Sequence, residues 1–316
     1  MNGKMLRYVI SWVLKTEGIL MVFPAVTGAL YREQEGLAYL LCGLFCVAVG
    51  FLLSRRKPEN MELYPKDGYV AVALGWVVLS VFGCLPFMMT EEIPFFVDAL
   101  FEIVSGFTTT GSSILTDVEA LSHASLFWRS FSHWIGGMGV LVFILAILPM
   151  KGGSVMNLMK AESPGPSVSK FVPRVRGTAK ILYQIYIVMT IVLILSLLIS
   201  GMTLFESLTL SFGAAGTGGF SILNSGCATY TAAQQWILTI GMILFGVNFN
   251  FYYLILCRKF KAAALSQEVR AYFLIILVAV AAITVDIYGT YPSLGETVRH
   301  AAFQVGSIIT TTGYAT

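Results

Sequence analysis

Charged residues are scarce in this sequence. They make up 12% of its 316 residues, whereas hydrophobic residues make up 57%, and an ordinary soluble domain has about a quarter charged residues. So little charge excludes a soluble globular protein of this size. The apolar residues fall in stretches of about 20, the length of a helix that crosses the hydrocarbon layer. The sequence therefore predicts an all-α polytopic membrane protein.

Motifs that hold metals or build enzyme active sites are also missing. The five cysteines form no Cys-x-x-Cys pair, and neither they nor the three histidines have the spacing of metal ligands. This excludes the common membrane enzymes, and we expect no cofactor in this chain. The first apolar run, from Leu6 to Leu30, lacks the cleavage site of a signal peptide. The net charge of +3 is modest, and we expect no nucleic-acid partner.

Seven apolar stretches have the length of membrane spans: 7–31, 36–54, 68–90, 124–150, 179–203, 233–257 and 269–290. Lys and Arg residues concentrate in alternate connections, beginning with Lys4 and Arg7 at the amino terminus. The opposite set of connections holds only Arg32, Arg129 and Arg299. By the positive-inside rule we expect the amino terminus in the cytoplasm. Seven crossings then leave Thr316 on the outer side.

Three outer segments share a pattern that is unusual for a loop. Residues 96–115, 204–223 and 294–316 each contain an apolar run too short to cross the membrane, followed by threonine and glycine. The first and third read "TTTG" at 108–111 and 310–313, and the second reads "GTGG" at 216–219. We interpret the chain as an internal repeat of about a hundred residues, each unit a spanning helix, a re-entrant short helix, a glycine loop and a second spanning helix.

The composition of these loops suits a dehydrated monovalent cation. Backbone carbonyls, helped by hydroxyls, can replace the water shell of the ion, and glycine allows the positive φ angles that turn carbonyls inward. A short helix also directs the negative end of its dipole at the loop that follows it. The loop tips have no ring of Asp or Glu, which argues against a divalent ion and for K⁺. A simple tight turn also explains one such loop, but three copies on one side disfavour it.

Two transport classes fit such loops. A pore passes K⁺ in single file, whereas a Na⁺- or H⁺-coupled symporter usually has ionisable residues at the membrane midplane. The predicted spans are nearly free of charge, which favours the pore and keeps the symporter as the alternative.

The sequence resembles the Trk/Ktr/HKT superfamily of K⁺ transporters, and within it the bacterial TrkH-type membrane subunit. The residues that carry the resemblance are "ALGWVVLSVFGCLPF" (73–87), "FVDALFEIVSGFTTTGSSIL" (96–115), "FWRSFSHWIGGMGVLVF" (127–143), "GTGGFS" (216–221) and "AAFQVGSIITTTGYAT" (301–316). It implies two leading helices and four repeats with pseudo-fourfold symmetry around one pore. It also implies a bacterial cytoplasmic (inner) membrane, a homodimer, and a cytoplasmic nucleotide-binding subunit that gates the pore.

Carried over residue by residue, the resemblance implies an ion-selectivity filter formed by all three loops. The filter residues are Thr108, Thr109, Thr110 and Gly111; Gly216, Thr217, Gly218 and Gly219; and Thr310, Thr311, Thr312 and Gly313. The filter glycine of the second loop is open from sequence. Gly219 is preferred, because it precedes Phe220 as Gly313 precedes Tyr314.

The resemblance also divides the chain. We expect two leading helices in 1–67, a first repeat in 68–150, a cytoplasmic linker in 151–178, a second repeat in 179–260, and the first helix and pore loop of a third repeat in 261–316. The family has four loops per pore, so we expect this chain to be truncated after the third. The basic stretch 151–180 is either a contact for the regulatory subunit or a solvated linker whose positive charge only sets the topology.

Three further side chains and one glycine cluster have sequence-based interpretations. Arg129 is expected to snorkel or to pair with Asp117 or Glu119, near the outer surface. Glu102 and Glu206 each follow Leu-Phe and are candidates for a carboxylate near the outer vestibule that either concentrates cations or ties the pore helix to a neighbour. The glycines of "WIGGMGV" (134–140) are interpreted as helix packing rather than as a hinge.

Overall fold

All regular secondary structure among the described residues is helical. The structure is a computed structural model that describes residues 2–59, 64–139 and 175–316. Its helices are α1 (Gly3–Leu20), α2 (Val22–Tyr31), α3 (Glu35–Ser54), α4 (Pro65–Gly83), α5 (Leu85–Met89), α6 (Phe96–Phe107), α7 (His123–Gly137), α8 (Val175–Ile199), α9 (Leu204–Gly216), α10 (Ala232–Phe245), α11 (Phe249–Leu256), α12 (Phe260–Ala264), α13 (Gln267–Asp286) and α14 (Leu294–Ile309).

Five helical stretches are long and apolar enough to cross a membrane. They are Gly3–Tyr31, Glu35–Ser54, Lys66–Met89, Lys180–Ile199 and Gln267–Asp286, and they confirm the first, second, third, fifth and seventh predicted spans. The fourth predicted span begins as α7, and its part beyond residue 139 lies outside the described residues. Most of the predicted linker 151–178 lies outside them as well, and the division into repeats stays a prediction.

The sixth predicted span, 233–257, is not one straight helix but two, which together are long and apolar enough to cross a membrane. α10 and α11 meet at an angle of 85°. The helix ends at Gly246, and the side chain of Asn248 starts the next helix by accepting from the Asn250 N–H at 3.0 Å. Two tyrosine hydroxyls donate to carbonyls of the last turn of α10, Tyr272 to Ile243 at 3.0 Å and Tyr252 to Leu244 at 2.6 Å. These bonds give the carbonyls at the break their hydrogen-bond partners. A hydropathy pattern alone does not reveal such a break.

Short helices precede all three threonine–glycine loops, as predicted. α6, α9 and α14 have 12, 13 and 16 residues, and at 1.5 Å per residue they are roughly 18–24 Å long, less than the hydrocarbon layer. Glu206 caps the start of α9: its carboxylate accepts from the Thr203 N–H at 3.1 Å, while Thr203 Oγ1 accepts from the Glu206 N–H at 3.3 Å. This capping box occupies Glu206, so the residue is a helix cap rather than part of a vestibule.

Two buried clusters position these short helices. The first joins the leading helices to α6 and α7, and the fully buried Trp128 of α7 donates to the Gly83 carbonyl of α4 at 3.0 Å. The second joins α8, α9, α10 and α14, and it includes Tyr186 and Tyr314. Trp134 of α7 packs against both clusters. α7 is therefore the element that connects the first loop to the second.

Candidate ion-selectivity site

The three loops share one backbone conformation. Each has a threonine in the left-handed region, followed two positions later by a glycine with positive φ. The threonines are Thr109, Thr217 and Thr311, with φ of 55°, 53° and 60°, and the glycines are Gly111, Gly219 and Gly313, with φ of 77°, 74° and 84°. This register makes Gly219 the counterpart of Gly111 and Gly313.

The same hydrogen bond closes each short helix onto its loop. The N–H one residue before the loop glycine donates to a carbonyl five residues back in the helix. The three bonds are Thr110 to Ser105 at 2.9 Å, Gly218 to Gly213 at 2.9 Å and Thr312 to Ser307 at 2.8 Å. The repeated bond ends the helix at the same place in each loop, so the loops have the same course despite their different sequences.

Neighbouring loops approach each other at their glycines. A side-chain carbon on Gly111 would overlap the carbonyl oxygen of Gly218 in the second loop, and one on Gly219 would overlap the carbonyl oxygen of Thr312 in the third. At Gly313 an added carbon meets no described atom within 4 Å. The glycines of the first two loops are therefore required by close approach as well as by their φ angles.

Hydroxyl pairs brace the first and third loops. Thr108 and Thr110 join their hydroxyls at 2.8 Å, and Thr310 and Thr312 join theirs at 2.7 Å. The first member of each pair also donates to a helix carbonyl, that of Val104 or of Gly306, at 2.7 Å. The hydroxyls thus tie each loop to the helix before it.

Arg129 has a different partner from the expected one. Its Nε donates to Glu102 Oε1 at 2.8 Å, and the two side chains are 2% and 0% exposed. Asp117 and Glu119 instead accept from the Asn224 side chain at 2.7 Å and from its N–H at 2.8 Å. Arg129 therefore does not snorkel, because α7 buries its side chain within the protein, next to the first loop. A guanidinium buried in this way requires a buried counter-charge, which Glu102 supplies.

Glu102 is fully buried, which contradicts the cation-concentrating role and agrees with the other predicted role, tying the pore helix to a neighbour. Its carboxylate accepts from the Ser113 hydroxyl at 3.0 Å and from the Ile114 N–H at 3.1 Å. These groups belong to the segment that leaves the first loop. The buried ion pair therefore fixes that segment against α6 and α7.

Arg129 also reaches the second loop. Its Nη1 donates to the Ser221 carbonyl at 3.2 Å, and the guanidinium carbon lies 4.2 Å from the centre of the Phe220 ring. One side chain of α7 thus joins the segments that follow both glycines.

His133 is a site residue that the sequence interpretation missed. Its Nδ1 lies 2.8 Å from the carbonyl oxygen of Gly106, and its Nε2 accepts from the Phe220 N–H at 3.2 Å. The ring is fully buried. The one available signal was its position four residues after Arg129, which places both side chains on one face of α7.

The glycines of α7 pack against the loops, as the packing interpretation predicts. A side-chain carbon on Gly136 would overlap the Phe107 carbonyl oxygen, and one on Gly137 would lie 2.7 Å from Gly216 Cα. These contacts bring the α7 backbone directly against the first two loops.

The comparison with known families decides which proteins share this architecture. The model of the TrkH family, described as a cation transport protein, matches residues 38–316. The chain belongs to the TrkH family. The Trk system potassium uptake protein TrkH of Escherichia coli (strain K12) is 34% identical over an alignment of 304 positions, which covers 94% of this chain and 63% of that protein. The protein of the same name from Halomonas elongata is 32% identical over an alignment of 323 positions, which covers 100% of this chain and 67% of that protein.

A solved TrkH-family structure has the same fold. The crystal structure of the potassium transporter TrkH from Vibrio parahaemolyticus matches with a TM-score of 0.83 at 27% identity, covering 100% of this chain and 66% of that one. Family membership confirms the resemblance and the all-helical membrane fold, and the relatives are named for transport rather than for an enzymatic reaction. This chain spans 63% of the length of the Escherichia coli relative.

Removing the positive member of the buried ion pair should destabilise the protein. Arg129→Met leaves Glu102 buried without a counter-charge, which we expect to lower the free energy of unfolding by roughly 3–5 kcal/mol. Adding Glu102→Gln removes the orphaned charge and keeps an acceptor for the Ile114 N–H, so the double variant should recover most of the loss. Thermal unfolding in detergent, followed by size-exclusion chromatography, measures both.

The control for this prediction is Arg299→Met. Arg299 and Glu296 form a partly exposed pair at 3.1 Å, so the expected change is below about 1 kcal/mol. An Arg129→Met variant as stable as the Arg299→Met variant would contradict the structural role of the buried pair.

Proposed function

We propose that this protein takes up potassium across the membrane through a filter of backbone carbonyls. The filter comprises the twelve residues that the resemblance assigns, namely 108–111, 216–219 and 310–313. K⁺ is the proposed substrate because the relatives are named for potassium uptake. The relatives are longer than this chain, so the proposal concerns the full-length protein.

One observation carries this proposal: the three loops have the same left-handed turn, and Gly111 and Gly219 each lie against a carbonyl oxygen of the next loop. Loops that adjoin in series bring their backbone oxygens around a common region. Each short helix ends at its loop, so three negative dipole ends face that region. Clustered carbonyl oxygens and negative dipole ends together favour a dehydrated cation.

Coupled transport is the second candidate, and one buried carboxyl favours it. Glu17 in the first span is 1% exposed, and neither of its carboxylate oxygens has a hydrogen-bond partner among the described residues. Ionisable groups at such positions often belong to proton relays. Glu17 lies beside Gly83 rather than at the loops, so we place it second.

Glu17→Gln separates the two candidates. For a pore, K⁺ uptake by vesicles should not respond to an imposed proton gradient in either the parent or the variant. A proton-coupled carrier would show a gradient dependence that Glu17→Gln removes, and that result would overturn the pore.

Side chains at the loop glycines should abolish selective uptake. In vesicles containing the full-length protein, Gly111→Ala and Gly219→Ala should lose K⁺ uptake or its preference for K⁺ over Na⁺, because the new carbon overlaps a carbonyl oxygen of the next loop. The measurement is the initial rate of uptake of each ion.

Gly201→Ala is the matched control. Gly201 has a φ of 88°, and no described atom lies within 4 Å of an added carbon, so it shares the backbone strain of about 1–2 kcal/mol without the overlap. It should keep K⁺ uptake and preference. A Gly219→Ala variant with the parent's preference would refute the filter assignment.

We further propose a bacterial cytoplasmic (inner) membrane, a cytoplasmic amino terminus, a homodimer and gating by a cytoplasmic nucleotide-binding subunit. The alternation of Lys and Arg supports the orientation, and the Trk system in the relatives' names supports a multi-component assembly.

Arg56→Cys should react with an impermeant thiol reagent only from the cytoplasmic side, and Asp117→Cys only from outside. Purification from native membranes should yield a dimer of this protein together with the nucleotide-binding subunit. A monomer that purifies alone would contradict both the homodimer and the binding of the regulatory subunit.

A further inference from the structure

The second loop lacks the hydroxyl pair that braces the other two. Gly216 and Gly218 stand where the first loop has Thr108 and Thr110 and the third has Thr310 and Thr312. Without these side chains the second loop has no brace of its own. Something else must hold a loop that follows the same course.

His133 occupies the space that those side chains would need. A side-chain carbon on Gly218 would overlap the His133 ring, and one on Gly216 would overlap the His133 carbonyl oxygen. Gly218 does not have a positive φ angle, so its φ does not itself require glycine. The ring of His133, rather than the backbone, is what requires glycine at position 218.

The hydrogen bonds of His133 define its tautomer. The Gly106 carbonyl can only accept, so Nδ1 carries the hydrogen. Nε2 then has its lone pair free and accepts from the Phe220 N–H. The neutral ring thus makes both of its hydrogen bonds, one to the end of α6 and one to the second loop.

The bond to Phe220 controls a filter carbonyl. The Phe220 N–H belongs to the same peptide unit as the Gly219 C=O, and this unit is planar and trans. An N–H directed at His133 therefore directs the Gly219 carbonyl the opposite way, away from α7. The Phe220 ring also contacts both α7 side chains: the guanidinium carbon of Arg129 and the centre of the His133 ring each lie 4.2 Å from its centre.

We propose that His133 is a positioning residue for ion selectivity, which orients the Gly219 carbonyl and replaces the hydroxyl pair of the other loops. The proposal rests on the filter assignment above. It assigns to α7, the second helix of the first repeat, control over the loop of the second repeat.

Three substitutions at His133 separate its two hydrogen bonds. An Asn amide lies near the position of Nδ1 and can donate to Gly106, but it does not reach Phe220. The longer Gln places a carbonyl oxygen near the position of Nε2, where it can accept from the Phe220 N–H. His133→Asn and His133→Ala should both lower the K⁺ over Na⁺ uptake ratio of vesicles containing the full-length protein, and His133→Gln should retain most of it.

A second pair of variants tests the steric part independently. Gly218→Ala in the parent should lower the ratio and the thermal stability in detergent, because its methyl overlaps the ring. In a His133→Ala background the ring is absent, so Gly218→Ala should add no further loss. This coupling distinguishes a direct contact from two unrelated effects.

The results separate this proposal from the function on which it rests. If the parent protein shows no K⁺-selective uptake, the filter assignment and the role of His133 both fall. If the parent is selective and His133→Asn keeps its ratio, or if Gly218→Ala is equally harmful with and without the ring, only the role of His133 is overturned. A purely structural role would lower stability in all three His133 variants without the difference in ratio between Gln and Asn.

Discussion

Backbone that leaves the helical path inside a membrane must find its hydrogen-bond partners within the protein, because lipid offers none. The three loops and the break between α10 and α11 all meet this constraint. At the break, tyrosine hydroxyls satisfy the last carbonyls of α10. At the loops, the recurring bond pairs the N–H before each loop glycine with the helix carbonyl five residues back. α7 adds two side chains from outside the loops: Arg129 donates to the Ser221 carbonyl, and His133 bonds to the Gly106 carbonyl and to the Phe220 N–H.

α7 therefore acts as a scaffold for two loops. Arg129 and His133 lie one turn apart on its surface, and Gly136 and Gly137 allow its backbone to contact the first and second loops directly. The buried charge of Arg129 is tolerated because Glu102 neutralises it and because both groups have further hydrogen-bond partners. Polar groups in this position are costly to bury singly, and together they define one arrangement of the loop segments.

The sequence predicted the parts of the site that depend on local patterns. A short apolar run before threonine and glycine was enough to place α6, α9 and α14, and the aromatic residue after the glycine was enough to align Gly219 with Gly313. The partner of Arg129 was not predictable, because Glu102 lies 27 positions away and only the packing of α6 on α7 brings them together. The bend in the sixth span also escaped prediction, since neither Gly246 nor Asn248 interrupts the apolar pattern strongly. His133 was not predicted as a site residue, because its hydrogen-bond partners are backbone groups, which have no signature in the sequence.

The contacts between neighbouring loops have a direction, because a glycine of one loop meets a carbonyl oxygen of the loop that follows it in the chain. The first loop lies against a carbonyl of the second, and the second lies against a carbonyl of the third. In most repeat proteins each copy contacts its neighbours through surfaces that can change gradually. Here a carbonyl oxygen of one loop lies directly against the Cα of a glycine in the loop before it. Even the smallest side chain at that glycine would overlap the oxygen, so this contact cannot change gradually. The copies can therefore differ in the side chains that hold each loop in place, which are hydroxyl pairs in the first and third loops and a histidine at the second. They cannot differ in the contact between a glycine of one loop and a carbonyl oxygen of the next.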